Sequence, residues 1–157
     1  VIEIGAQIIH VTGELDWHVM QRSRARLPED AQAHYHLHCY LTDDMGLALR
    51  AADLVVSRSG ASILGEYPVF GIPAILVPYP YARNHQLVNA KTLASAGAAV
   101  LIRDKNIKTH LARYIRDLLS DEEVLSTMQS QARSFAVLDA SDRLASELIN
   151  LAEANGN

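Results

Sequence analysis

Asp53-Leu54-Val55-Val56-Ser57-Arg58-Ser59-Gly60-Ala61-Ser62-Ile63-Leu64-Gly65-Glu66 is a short apolar run that breaks into a turn of small residues and continues in a helical pattern. It predicts strand, anion-binding turn and helix. A helix start offers N–H groups outside the helical ladder and the positive end of the helix dipole, so Ser59 to Ser62 suit a phosphate at the carboxyl end of a strand. Glu66 lies about five residues beyond Ala61, roughly 7 Å of rise, and a helical side chain leans back toward the N-terminus. That puts a carboxylate within reach of the hydroxyls of a ribose whose phosphates sit on the turn. The same residues also fit an ordinary helix start with a solvated Glu66, and the rest of the chain has to decide.

Working outward, Ile72 to Val77 reads as the next strand, and Pro68 should bend or shorten the helix between the two. Pro78-Tyr79-Pro80-Tyr81 is a stiff loop leading to Asn84, a candidate cap for a helix with Leu87, Ala90 and Ala94 on its apolar face. His85, Gln86 and Asn89 then fall on a polar face at the same sheet edge as the Ser59 turn, where open α/β sheets bind ligands. They suit sugar hydroxyls, or else an exposed helix start. Ala98 to Ile102 is a fifth strand, and from Ile107 the pattern is helical, with starts at Ser120-Asp121-Glu122-Glu123 and at Asp139 or Ser141.

Upstream, Ala6 to Val11 reads as a strand ending at Thr12-Gly13, and Leu15 to Leu27 as an amphipathic helix stopped by Pro28. Tyr35 to Leu41 is a second strand. Thr42 then caps a short helix that carries Asp43 and Asp44 in its first turn and ends near Ala52. Strands alternating with helices predict a parallel, right-handed α/β sheet with helices on both faces. Val1 to Gly5 carries no start signal, and the chain reads as a fragment.

The 157 residues, 49% hydrophobic and 20% charged, suit one domain with a real core. A net charge of -4 gives no basic footprint, so nucleic acid is not an expected partner; Arg22, Arg24 and Arg26 read as a solvated helix face. The single cysteine, Cys39, cannot form an internal disulfide and fits a reducing compartment. No apolar run reaches the length of a membrane span, which makes the cytoplasm the expected location and leaves peripheral membrane contact open.

Several familiar chemistries fail on their residues. Gly60 to Gly65 has P-loop spacing, but Glu66 and Tyr67 stand where Lys and Ser or Thr are required. No Gly-x-Gly-x-x-Gly and no Gly-x-Ser-x-Gly occurs, against ordinary NAD binding and against a serine hydrolase. His34, His36 and His38 share a face if all lie on a strand, yet Cys39 points away and no acid completes a metal set. Glu14 and Asp16 sit at a helix start, where acids are favoured anyway.

The ordered set Tyr40-Leu-Thr-Asp-Asp-Met45, Ala52-Asp-Leu-Val-Val-Ser-Arg-Ser-Gly-Ala61, Glu66, Gly71-Ile-Pro-Ala74, Val77-Pro78, Asn84-His-Gln86, Asn89-Ala90 and Ala96-Gly-Ala-Ala99 resembles one family. It is similar to the C-terminal half of the MurG-type transferases, bacterial enzymes that move N-acetylglucosamine (GlcNAc) from UDP onto the lipid-linked muramyl-pentapeptide of peptidoglycan synthesis. The resemblance implies a Rossmann-like parallel sheet flanked by helices, the donor-binding half of a GT-B fold, over residues 1–157. The family's N-terminal acceptor domain is absent, and so are the first strand of the C-terminal domain and its glycine-rich loop. That strand is expected between the ones matching Ala6 to Val11 and Asp53 to Ser57.

By the same resemblance, Thr42 contacts uracil with Met45 nearby, and Arg58 belongs to the donor site. Ser59, Gly60, Ala61 and Ser62 face the diphosphate, Glu66 takes the ribose hydroxyls, and His85, Gln86 and Asn89 lie at the sugar. No catalytic base is implied in this chain, and no cofactor or metal: UDP-GlcNAc is a substrate, and helix dipole and hydrogen-bond donors stabilise the leaving group. The implied acceptor is lipid-linked and meets the absent domain on the cytoplasmic face of the membrane. The fragment is expected to be inactive and marginally folded, or completed by a neighbouring chain, with self-association one route. Another GT-B transferase for a glycolipid or polysaccharide, a UDP-sugar epimerase, and a non-catalytic nucleotide-sugar binding subunit stay open.

Overall fold

The computed structural model describes residues 4–82 and 84–154. Five short strands, β1 (Ile8–Val11), β2 (Tyr35–His38), β3 (Val55–Ser57), β4 (Ala74–Leu76) and β5 (Ala99–Leu101), are all paired in parallel. Eight helices accompany them among the described residues: α1 (Gly13–Arg24), α2 (Glu29–Ala33), α3 (Met45–Ala51), α4 (Ile63–Phe70), α5 (His85–Ser95), α6 (Ile107–Leu119), α7 (Glu122–Ser134) and α8 (Ala140–Ala154). The expected α/β alternation is present. The sheet, however, is in two pieces: β1 pairs only with β2, and β3-β4-β5 form a separate three-stranded sheet.

β4 shows why its sequence is a continuous apolar run. Successive residues of a strand point to opposite faces. Ala74 and Leu76 pack with Ile63 and Tyr67 of α4 and with Ala90 and Leu93 of α5. Ile75 and Val77 pack on the other side with Leu118 of α6 and Met128 of α7. Both faces are covered and both edges are paired, so Ile75 and Leu76 are completely buried. Each contributes about 1.5–3 kcal/mol of apolar burial.

Gly71 closes α4. It lies at φ +67, in the left-handed region that glycine enters without penalty, and Tyr67 and Pro68 accept its N–H. A side chain there would also meet Arg133, since an added Cβ would clash with its Nε and Cγ. Pro68 is buried inside α4 and the helix is eight residues long, which bears out the expected shortening.

Several boundaries differ from the sequence reading. α1 starts at Gly13 and ends at Arg24, so Pro28 opens α2, which the sequence reading does not contain. Thr42 caps nothing: α3 starts at Met45 after Asp44, because the turn through Asp43 and Asp44 precedes the helix. β3 begins at Val55 rather than Asp53, and β4 spans three residues. Asn84 precedes α5 in the left-handed conformation with no side-chain cap; only its carbonyl serves the helix, accepting from Val88. α7 is capped by Asp121 rather than Ser120, its carboxylate accepting the Val124 N–H at 3.0 Å. β1 and β2 are not covered on both faces, since Ile9 and Val11 remain exposed. All residues of α8 from Ala140 to Ala154 are exposed. No described helix is long and apolar enough to cross a membrane.

Candidate donor site at the carboxyl edge of the sheet

With every strand pairing parallel, the carboxyl ends of β3, β4 and β5 share one edge, and the segments leaving them meet there. Arg58 to Ser62 leave β3 and enter α4, where Gly65 and Glu66 N–H groups already bond to the Ser62 carbonyl. The N–H groups of the turn itself precede that ladder. Gly60 has an ordinary backbone conformation, and a Cβ there would meet no atom within 4 Å. Neither strain nor packing requires glycine at this point; what its smallness leaves is open space over the turn. Glu66 is exposed in the first turn of α4.

Ser59 behaves differently from its neighbours. It is completely buried, and its hydroxyl donates to the Gln86 carbonyl at 2.7 Å. Asn89 donates its amide N–H back to the Ser59 carbonyl at 3.1 Å, and the Tyr79 N–H donates to Gln86 Oε1 at 2.8 Å. Three of the sequence-derived residues, Ser59, Gln86 and Asn89, are thereby drawn into one network. The side chain of Ser59 faces this network rather than the open side of the turn. His85 is exposed beside it at the start of α5.

Arg58 turns the other way. Its guanidinium pairs with Asp104 at 2.5 Å, donates to the Val77 carbonyl at 3.3 Å and lies 5.4 Å from the centre of the Tyr79 ring. It ties the ends of all three strands of the sheet. Beneath the turn, the buried Tyr67 hydroxyl donates to Ser57 Oγ at 2.9 Å. Burial raises the Tyr67 pKa, the Ser57 hydrogen bond opposes that rise, and the Glu66 charge adds to it. Tyr67 therefore stays a neutral donor.

Thr42 and Met45 are exposed in and after the segment leaving β2. α3 packs its Leu49 against the core beside α4. Sequence reasoning did not find Tyr79, Asp104 or Tyr67 as parts of this edge. Asp104 gave no signal, being separated by 46 positions from the arginine it meets. The histidine stripe dissolves: His34 precedes β2 and bonds to the Asp30 carbonyl, while His36 meets Gln7. No group of three metal-ligating side chains forms among the described residues. A separate concavity of about 400 Å³, lined by Trp17, Gln21, Arg24 and Gln32, lies between α1 and β2 and shares no residue with this edge.

The profile of the glycosyltransferase family 28 C-terminal domain matches residues 2–144. The chain belongs to this family. It is 43% identical over 159 aligned residues to the UDP-N-acetylglucosamine--N-acetylmuramyl-(pentapeptide) pyrophosphoryl-undecaprenol N-acetylglucosamine transferase of Roseiflexus sp. (strain RS-1), covering 88% of this chain and 36% of that protein. The enzyme of the same name from Nitratidesulfovibrio vulgaris (strain DP4) is 38% identical over 95% of this chain and 40% of its own length. The crystal structure of Acinetobacter baumannii MurG superposes with a TM-score of 0.77 at 27% identity, covering 92% of this chain and 41% of that one. The fold is thus the C-terminal domain of a GT-B glycosyltransferase, as the family 28 resemblance implies. The chain spans 36 to 41% of the length of these relatives.

Proposed function

We propose that this domain binds the UDP and sugar portions of UDP-GlcNAc along the carboxyl edge of β3-β4-β5. The observation that carries the reading is the hydrogen-bonded junction of the Ser59 turn with the polar first turn of α5. It sets an anion-binding helix start beside amide and imidazole groups, in a family whose relatives are named as N-acetylglucosamine transferases. In this reading the diphosphate lies over Gly60, Ala61 and Ser62, where the open side of Gly60 admits an oxygen close to the backbone. Glu66 accepts hydrogen bonds from the ribose hydroxyls. Gln86, His85 and Asn89 border the sugar, and Thr42 and Met45 the uracil. Arg58 serves the site from the side, by fixing loop positions.

The whole protein then transfers GlcNAc to a lipid-linked acceptor, the undecaprenyl-pyrophosphoryl muramyl-pentapeptide, at the cytoplasmic face of the membrane. As the bond from sugar to diphosphate breaks, negative charge grows on the UDP oxygen. The α4 dipole and the turn N–H groups meet that charge, and interactions that strengthen as charge develops lower the barrier. The base that activates the acceptor hydroxyl belongs to the acceptor-binding half. In this reading a further parallel strand with a phosphate-facing loop, expected between β1 and β3, supplies the opposite wall of the diphosphate site.

Calorimetric titration of the chain with UDP and UDP-GlcNAc, repeated with Glu66→Gln, tests this. UDP binding with about a tenfold loss in Glu66→Gln is expected, the size of one hydrogen bond to a charged group. No transfer of GlcNAc by the chain alone is expected. A folded domain that includes the additional strand and still ignores UDP would overturn the reading.

A further inference from the structure

Ser59 is the buried polar side chain of the core, and its place in the hydrogen-bond network is unusual. Both of its polar groups, hydroxyl and carbonyl, bond to α5. The hydroxyl donates to the Gln86 carbonyl in the first turn of α5, and its own carbonyl accepts from Asn89 one turn further along. Gln86 in turn accepts the Tyr79 N–H through Oε1. Because that backbone group can only donate, it fixes the carboxamide with its oxygen inward, and Gln86 Nε2 is left to present two donors. A buried hydroxyl without a partner costs about 1–3 kcal/mol, so the Ser59 hydroxyl holds the Gln86 carbonyl in place rather than merely filling space.

We infer that Ser59 is a positioning residue: it fastens the anion-binding turn after β3 to the first turn of α5, so that phosphate-facing and sugar-facing groups are held at a fixed spacing. The coupling gives the sugar-facing side its specificity, since it keeps the Gln86 amide nitrogen directed at hydroxyl or carbonyl oxygens. The inference deepens the donor-site reading and rests on it only for the identity of the ligand. Its two bonds are separable. Ser59→Ala frees the Gln86 end of α5 but leaves the turn tethered to the same helix through Asn89; Asn89→Asp keeps the shape of the side chain and removes the amide donor that holds the turn.

Hydrogen exchange of the ligand-free chain, read residue by residue, tests the coupling without reference to any ligand. In Ser59→Ala the hydrogen-bonded amides of Tyr79 and Val88 should exchange about tenfold faster, while those of Ile75 and Leu76 in β4 stay unchanged. Asn89→Asp should speed exchange of the Leu64, Gly65 and Glu66 amides, which bond to the Ala61 and Ser62 carbonyls of the turn, and supplies the same test if Ser59→Ala does not fold. Unaltered exchange at these positions, or a uniform acceleration that includes β4, would overturn the inference. A second arm compares affinities for UDP and UDP-GlcNAc. Ser59→Ala should lose most of the preference for the sugar nucleotide and keep its UDP affinity. An equal loss for both ligands would mark Ser59 as merely structural and overturn the inference. Wild-type chain that binds neither ligand would speak against the donor-site reading, while the exchange data still decide the coupling.

Discussion

The β1-β2 half and the β3-β4-β5 half are built by the same local rules and end in opposite states. β1, Ile8-Ile9-His10-Val11, is apolar but for His10 and richer in β-branched residues than Ala74-Ile75-Leu76 of β4, and both pair in parallel with a neighbour. Yet no described residue before Ser59 is buried, whereas Ala74, Ile75 and Leu76 are all buried. The difference lies in how many sides are covered. β4 has two partners and helices on both faces; β1 has one partner, and Ile9 and Val11 keep 46% and 36% of their surface. Parallel sheets are stable when buried on both faces, and a two-stranded pair is marginal in water. The stretch from α4 to α7, built around β4, is therefore a covered core, and the β1-β2 unit is a pair left open on one side.

The sharpest test of that contrast removes a side chain from each half. Leu76→Ala should cost about 3–4 kcal/mol, because a fully buried leucine leaves a cavity that its neighbours fill only in part. Leu37→Ala in half-buried β2 should cost well under half of that. Urea unfolding of both variants measures the two losses; equal losses would break the comparison.

Covering the open side of β1 should raise the weaker half. A chain extended by one parallel strand between β1 and β3 would cover Ile9, Val11 and Val56, exposed by 46%, 36% and 41%. Completing their burial is worth about 2–3 kcal/mol in total, before the ordering entropy of the added strand. The amides of β1 and β3 should become protected against exchange while β4 and β5 change little. A strand that leaves β1 unprotected would show that the pair is complete as it stands.

Gly71→Ala probes the finished half at its tightest point. The left-handed conformation alone costs about 1–2 kcal/mol for a residue with a Cβ, and Arg133 must also move aside. Thermal unfolding should show the loss. Gly60→Ala, where a Cβ meets nothing, should leave stability unchanged and weaken only ligand binding.

Much of this was legible in the residues, for reasons that also explain the misses. Short apolar or alternating runs between turn signals revealed all five strands, and the order of strand and helix gave the parallel class. The break in the sheet was not legible in composition, since β1 reads as an ordinary apolar strand; the family resemblance expects a further strand between β1 and β3. α2 escaped because five residues carry too little periodicity to stand out. Thr42 was mistaken for a cap because Asp43 and Asp44 suit a first helical turn as well as the turn before one. At the site, the anion turn and the polar face of α5 were visible as local patterns. Their junction was not: Ser59 and Gln86 are 27 positions apart, and whether a serine faces ligand or core depends on how α5 docks. The acid that Arg58 meets was hidden for the same reason.

The smallest expected effect concerns pH and confines itself to the weaker half. His10 on β1 shares a short hydrogen bond with the Tyr35 hydroxyl of β2, 2.5 Å from Nδ1. Burial lowers the His10 pKa below its ordinary 6.5, and the Asp16 charge offsets part of that fall. The unfolded chain therefore binds more protons than the folded one between the two values, so stability rises with pH there. The contribution is complete above about pH 6.5 and is lost as pH falls through that value toward the folded pKa. Amides of β1 and β2 should then exchange faster at pH 5.5 than at 7.5, after correction for intrinsic rates, while those of β4 hold steady. His10→Gln, which cannot gain a charge, should abolish the difference. Since β1 and β2 bury nothing completely, they have little reserve against even this small cost, whereas the same protonation beside β4 would pass unnoticed. An equal response from both sheets would mean that they unfold as one unit, and the contrast between a finished and an unfinished half would then be one of burial but not of stability.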